Sequence, residues 1–299
     1  MAQKKETNYL YLLLGGMAVV AALLIFAYPL LPIEGCVGVV EIQGPIITND
    51  VSPSLLSDGM KGSETIAAEI ESADKRADVK SVLVLIDSPG GSVVASRQIY
   101  DALSSLNKSS VSYINEVGAS GGYYVAAGTD YIISNPDALT GSIGARATFY
   151  DFTGLFDKLG MNETTIKTGE MKDIGSQARP MTPQEREVLQ VIINESFYEF
   201  RSAVEKSRGG HLDRAGFEKV LDARVLSGRQ AKKIGLVDEL GNKKAAIMKA
   251  AKEGGIKSED PPLCYLASTK GRGGLLGSFS ADVDKLLAAS GNVPRLSYQ

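Results

Sequence analysis

Gly118-Ala119-Ser120-Gly121-Gly122-Tyr123-Tyr124 follows an apolar run and opens a helical pattern. A serine at such a junction, flanked only by small residues, presents its hydroxyl beside a helix N-terminus, where developing negative charge is favoured. Asp87-Ser88-Pro89-Gly90-Gly91 stands at the end of another apolar run. Its two glycines let the chain turn sharply and offer amide N–H groups with no Cβ in the way. Alone, each segment reads equally well as a strand-to-helix turn that caps a helix. If the two strand ends lie side by side, however, the amides of Gly91 and Gly121 supply the two converging donors that an oxyanion hole requires.

A nucleophilic serine needs a base. The sole imidazole, His211, lies in Arg208-Gly-Gly-His-Leu-Asp213, a polar turn expected between two helices, and reads as exposed and not catalytic. The remaining option is a lysine whose amine is neutral because its site is desolvated. Lys158, Lys167 and Lys172 all follow the serine. Lys172 comes after a short strand expected over Thr164–Thr168 and a glycine turn, but spacing alone does not choose among the three. One histidine and two cysteines, Cys36 and Cys264, are too few for a Cys/His zinc site or a disulfide framework. Cys36 reads as a small buried residue opening a strand.

The elements that must position these residues alternate. Cys36–Gln43 and Ser81–Asp87 are β-branched runs that read as buried strands, with a helix over Ser63–Arg76 between them. That β-α-β order implies a parallel sheet with a right-handed crossover. Helices are expected over Ser92–Leu106 and Ser120–Gly128, and strands over Val111–Glu116 and Tyr131–Ser134. Thr182-Pro183-Gln184-Glu185 supplies a cap, a proline and a capping-box glutamate for a long helix reaching about Arg208, and Ser227–Gln230 repeats that logic for a short helix stopping at Gly235. From Lys257 onward the pattern fades, which suggests a loosely held tail.

Tyr9–Leu31 is an uncharged run of 23 residues; as a helix it would be about 35 Å long, enough to cross a bilayer. It ends Tyr28-Pro-Leu-Leu-Pro32 rather than in a small-residue cleavage motif, so it reads as an uncleaved anchor. Lys4 and Lys5 place the short N-terminus in the cytoplasm and the remainder outside. The chain of 299 residues, 44% hydrophobic and 22% charged, is globular, and a net charge of −3 offers no basic excess for nucleic acid. Four regions are expected: a cytoplasmic N-terminus over 1–8, the anchor over 9–31, one α/β catalytic domain over 36–255 and the tail over 256–299.

Taken in order, these segments resemble the signal peptide peptidase A family, in its short membrane-anchored form, within the Clp protease and crotonase superfamily. The resemblance covers about residues 36–255. It is carried by Asp87-Ser-Pro-Gly-Gly91, Ala119-Ser120-Gly-Gly-Tyr-Tyr124, Leu139-Thr-Gly-Ser142-Ile-Gly144, Gly169-Glu-Met-Lys172-Asp173, Gly228-Arg-Gln-Ala-Lys232 and Gly235-Leu-Val-Asp-Glu-Leu240. It implies an α/β fold, a Clp-like spiral of β-β-α units behind an N-terminal transmembrane helix. It also implies that Ser120 is the nucleophile and Lys172 the base, with Ser142 orienting the amine and Gly91 and Gly121 forming the oxyanion hole. Ser92, Val93 and Val94 would then pair with an extended substrate. The implied protein is a cell-membrane serine endopeptidase with an extracytoplasmic catalytic domain, which degrades remnant signal peptides and other membrane-released peptides without metal or organic cofactor. It would assemble as a homo-oligomer, an octamer preferred, each chain supplying its own serine and lysine. Two other readings share the fold. A stomatin-type Ser-Lys protease would carry further transmembrane helices, and a crotonase-like acyl-CoA enzyme or silent scaffold would leave Ser120 and Lys172 without a purpose.

Overall fold

The computed structural model describes residues 35–53 and 59–266, together with the backbone of 297–298. The expected anchor, 9–31, lies outside the described residues, and none of the described helices is long and apolar enough to cross a membrane. Strand β1 (Cys36–Gln43), helix α1 (Ser63–Lys75) and strand β2 (Val79–Ser88) open the domain as a β-α-β unit with parallel strands. There follow β3 (Gly91–Ser92), α2 (Val93–Ser104), β4 (Ser110–Ala119), α3 (Gly121–Ala126), β5 (Tyr131–Ser134) and β6 (Leu139–Gly141). Next come α4 (Thr153–Leu159), a 3-10 turn at Glu170–Asp173, α5 (Pro183–Arg208), α6 (Arg214–Glu218), β7 (Val225–Ser227) and α7 (Gly228–Lys233). The last elements are β8 (Glu239–Leu240), α8 (Lys243–Glu253), β9 (Leu263–Tyr265) and β10 (Ser297–Tyr298).

Among the described residues eight strands form one sheet, in which β7, β6, β4, β2, β1 and β9 are neighbours in that order and β5 and β8 branch from β4. Every pairing in it is parallel except β6 with β7. Strand β2 is apolar over Val82–Ile86, where both its faces are covered. Val82, Val84 and Ile86 pack with Ile70 of α1 and with Ile99 and Leu103 of α2, whereas Leu83 faces Val37, Val111, Ala246 and Ala250 on the other side. Each such fully buried aliphatic side chain contributes about 1.5–3 kcal/mol.

The long helix α5 begins as its sequence dictates. The Glu185 N–H donates to Thr182 Oγ1 and the Thr182 N–H donates to the Glu185 carboxylate, with Pro183 fixing the first turn. Its far end is held by Arg208, which is buried and donates through both terminal nitrogens to Asp238 at 2.8 and 2.6 Å. Such a forked pair, its acceptor also bonded by the Ile132 N–H, ties the helix to the sheet.

Two expectations need correction. Thr164–Thr168 forms no strand; it lies exposed, with no strand paired to it among the described residues, and a β-branched run without a partner has no ladder to join. Conversely, Leu263–Tyr265, within the expected loose tail, pairs in parallel with Val37–Val39 on the sheet edge, where a disulfide joins Cys36 to Cys264 across 228 positions. Three residues are too few to show a period, and their partner is remote in sequence. Closing so long a loop restricts the unfolded chain, so replacing both cysteines by serine is expected to reduce stability by about 3–5 kcal/mol. Calorimetry checks this: the variant melts several degrees lower, and its Tm no longer responds to reductant.

Candidate active site

Sheet register gathers the predicted residues at the carboxyl ends of parallel strands, where clefts of such sheets lie. Ser88 of β2 pairs with Gly118 of β4, and Ala119 of β4 pairs with Gly141 of β6. Three turns therefore meet: the Asp87–Gly91 turn, the Ser120 junction and the turn carrying Ser142. A register shift between Ile86 and Ser88 lets β4 bend there. Asp87 fastens that bend, its carboxylate accepting from the Val117 N–H and from Asn115 Nδ2, both at 3.0 Å. This brace went unread in the sequence; its signal is an acidic residue at a buried strand end.

Ser120 occupies the N-cap of α3 with φ 54° and ψ −120°, left-handed backbone that a serine rarely adopts. Conformations of this kind are of order 1–3 kcal/mol unfavourable and persist where the surroundings enforce them. Here the Ser120 N–H donates to the Gly141 carbonyl, and the Ser120 carbonyl accepts from the Tyr124 N–H. Among the described residues one buried side-chain polar atom lacks a hydrogen-bond partner, and it is Ser120 Oγ. Leaving a buried hydroxyl unpaired is itself worth about 1–3 kcal/mol of stability. Strain and an orphaned hydroxyl thus coincide on one residue.

The glycines are required by closeness. A Cβ built on Gly121 would stand 2.4 Å from Ser96 Oγ and 3.2 Å from the Gly91 nitrogen, and one on Gly122 would stand 2.6 Å from the Ser88 carbonyl oxygen. The start of α3 therefore lies directly on the Ser88–Gly91 turn, and the Gly91 and Gly121 amides are neighbours beside Ser120. Gly121 is the first residue of α3, so its N–H has no intrahelical acceptor. Gly121→Ala is expected to displace this donor and lower kcat by about 10²- to 10³-fold, with a smaller change in KM; steady-state kinetics on a peptide substrate checks it. Two tyrosines anchor α3 from behind. The Tyr123 hydroxyl donates to the Leu236 carbonyl at 2.8 Å, and Tyr124 stacks on Tyr100 and meets Phe200 edge-on. Burial pushes the Tyr124 hydroxyl up to about 12.

Ser142 is buried and also has a left-handed backbone, φ 53°, its N–H donating to the Arg224 carbonyl. Lys172 is exposed on the 3-10 turn Glu170–Asp173. No hydrogen bond joins it to Ser120 within one chain. Of the other two lysines, Lys167 donates to Asp173 and to the Glu170 carbonyl, and Lys158 is exposed at the end of α4. His211 is exposed, with Nδ1 3.8 Å from Asp238.

Of the segment that the resemblance assigns to substrate pairing, one part is extended and the rest is helical. Only Gly91–Ser92 is extended; Val93 and Val94 are the first residues of α2, because the Ser92 hydroxyl accepts from the Ala95 N–H and starts the helix. Ser297–Tyr298 already lies antiparallel along this edge, Tyr298 opposite Gly91 and Ser297 opposite Ser92. Beside it runs a groove of about 970 Å³, lined by Ser92, Val93, Val94 and Tyr124 and, from α5, by Ile192 and Ser196.

Comparison with known proteins places the chain among peptidases. The model of peptidase family S49 matches residues 102–257, and that of Clp protease matches residues 58–138. A candidate protease of Methanocaldococcus jannaschii is 39% identical over 69% of this chain and 66% of its own length. A candidate signal peptide peptidase of Enterococcus faecium is 29% identical over 70% of this chain and 61% of its own. A chloroplastic serine protease of Arabidopsis thaliana is 31% identical over 64% of this chain and 29% of its own. The chain thus spans less than two thirds of the length of each of these relatives.

Proposed function

Because this chain belongs to peptidase family S49, we propose that it is a membrane-anchored serine endopeptidase in which Ser120 is the nucleophile and Lys172 the general base. The observation that carries this reading is the buried, unpartnered Ser120 Oγ on left-handed backbone, beside two neighbouring glycine amides. The neutral amine of Lys172 takes the hydroxyl proton as Oγ bonds to the peptide carbonyl carbon. The Gly91 and Gly121 N–H groups hold the oxyanion, and Ser142 orients the amine. The C–N bond then breaks, the lysinium protonates the departing amine, and water hydrolyses the acyl ester.

Lys172 lies on an arm, residues 145–181, that is largely exposed and carries outward-facing apolar side chains such as Tyr150, Leu159, Met161 and Ile166. Apolar surface of this kind is buried by association. The amine therefore reaches Ser120 when copies of the chain assemble into a homo-oligomer, an octamer preferred. Extended peptides bind antiparallel to Gly91–Ser92, as Ser297–Tyr298 does. An apolar groove beside that edge suits signal peptides and other peptides released in the membrane. The disulfide fits a catalytic domain in an oxidising, extracytoplasmic compartment, with 9–31 as the anchor.

The test presents the purified full chain, in lipid, with a synthetic signal peptide and separately with an acyl-CoA thioester. Internal cleavage of the peptide, read by mass spectrometry, is expected. An intact peptide together with turnover of the thioester would replace the peptidase reading with a crotonase-like one.

A further inference from the structure

Beside Lys172 in the chain lies an ion-pair cluster that the catalytic scheme does not use. Arg179 forks onto Asp173, Nε donating at 3.1 Å and Nη2 at 2.8 Å to its two carboxylate oxygens. The same guanidinium donates through Nη1 to Glu185 Oε2 at 2.9 Å and through Nη2 to Glu185 Oε1. Lys167 also donates to Asp173, and to the Glu170 carbonyl at 2.8 Å. Glu185 is 2% exposed and completes the capping box of α5, a helix whose far half is buried through Phe200, Ala203, Val204 and Arg208. A continuous set of charge-assisted bonds therefore runs from the first turn of α5, through Arg179, to the residue next to Lys172. Such forked bonds fix geometry as well as adding energy.

We propose that Arg179 is a positioning residue for Lys172: bridging Asp173 to Glu185, it fixes the turn that carries the amine and keeps the adjacent carboxylate engaged away from that amine. The inference rests on Lys172 acting as the base. A lysine on an otherwise exposed arm needs a rigid mount to arrive at a serine in one geometry, since small misplacements slow reactions steeply. It also needs to arrive without its own carboxylate partner, because an opposite charge within a few ångströms favours the protonated, non-basic form. Arg179 meets both needs. The charged groups around the turn are Glu163, which lines the same cavity of about 510 Å³ as Lys172 and Asp173, Lys167, Glu170, Asp173 and Arg179, with Glu185 reaching in from α5.

The electrostatics agree with a clamp that holds at working pH. Arg179, then Lys167, keeps the Asp173 carboxyl well below its usual range, and Arg179, then the Thr182 N–H, brings Glu185 down to about 2. Depressed carboxylate values stabilise the folded form above the ordinary carboxylate range and lose that contribution as pH falls through the folded values. The clamp is therefore fully formed from mildly acidic pH upward.

The test measures kcat, KM, pH profile, assembly and Tm for full-length Arg179→Ala, Asp173→Asn and Lys172→Ala. For Arg179→Ala we expect kcat to fall about 10- to 100-fold with little change in KM, and the rising limb of the profile to move alkaline, because Asp173, left with Lys167 alone, can turn toward the amine and favour its protonated form. Asp173→Asn removes anchor and competitor together, so it should lose less and show no alkaline displacement. A wild-type kcat and profile in Arg179→Ala, or a loss that tracks Tm or assembly with an unmoved profile, would overturn the inference. Full activity in Lys172→Ala would remove the base itself, a separate failure; an inactive Lys172→Ala beside a wild-type-like Arg179→Ala discards the positioning role alone.

Discussion

Ser120→Ala is expected to lower kcat/KM for peptide cleavage by about 10⁴-fold while leaving the protein at least as stable as the parent. Both halves follow from the same atom. Ser120 Oγ is buried and bonded to nothing among the described residues, so deleting it removes a desolvated hydroxyl without breaking any contact. Alanine keeps the Cβ, so the left-handed strain at φ 54° is unchanged. A hydroxyl kept for packing would behave oppositely, its loss lowering Tm and sparing turnover. Ser120→Gly sharpens the contrast: glycine tolerates that backbone, so this variant should be equally inactive and more stable. Thermal melts alongside kinetics check both.

Lys172→Ala is expected to lower activity by about 10³-fold or more, and its partner experiment carries more information. Among the described residues Ser120 Oγ has no hydrogen-bond partner, and Lys172 rides an exposed, partly apolar arm. If assembly delivers the amine from one copy to the serine of another, co-assembling inactive Ser120→Ala with inactive Lys172→Ala regenerates some intact sites. For random mixing around a closed ring in which one neighbour supplies the lysine, about one quarter of sites are restored. Recovery of that order, measured after mixing and reassembling the two variants, is the expected result. A dead mixture would mean that each arm closes onto its own chain, the arrangement that the family resemblance implies.

How far the sequence discloses this site depends on the range of the interactions involved. The serine junction and the Asp87–Gly91 turn are local patterns, legible because glycine pairs after apolar runs are rare and chemically suggestive. Strand β1 falls on the expected residues, Cys36–Gln43, since its stretch covered on both faces, Cys36–Val40, reads as one continuous apolar run. The meeting of the two turns was conditional on strand order, and parallel pairing of β2 with β4 meets that condition. What stayed hidden is long-range or geometric. The Cys36–Cys264 bridge and the edge strand β9 depend on partners more than 200 positions away. Asp87 bracing a bend, and Arg179 linking a turn to a helix start, depend on side-chain direction, which spacing does not encode. Val93 and Val94 fall within the helix expected from Ser92, started by that serine's cap, so the pairing role that the resemblance implies for their backbone does not follow from the local pattern.

The most direct test of the account is to label the assembled enzyme with a fluorophosphonate probe and locate the adduct by peptide mass spectrometry. The account predicts one adduct, on Ser120, absent in Ser120→Ala and formed far more slowly in Lys172→Ala. An adduct on a different serine, or undiminished labelling and peptide turnover in Ser120→Ala, would contradict it.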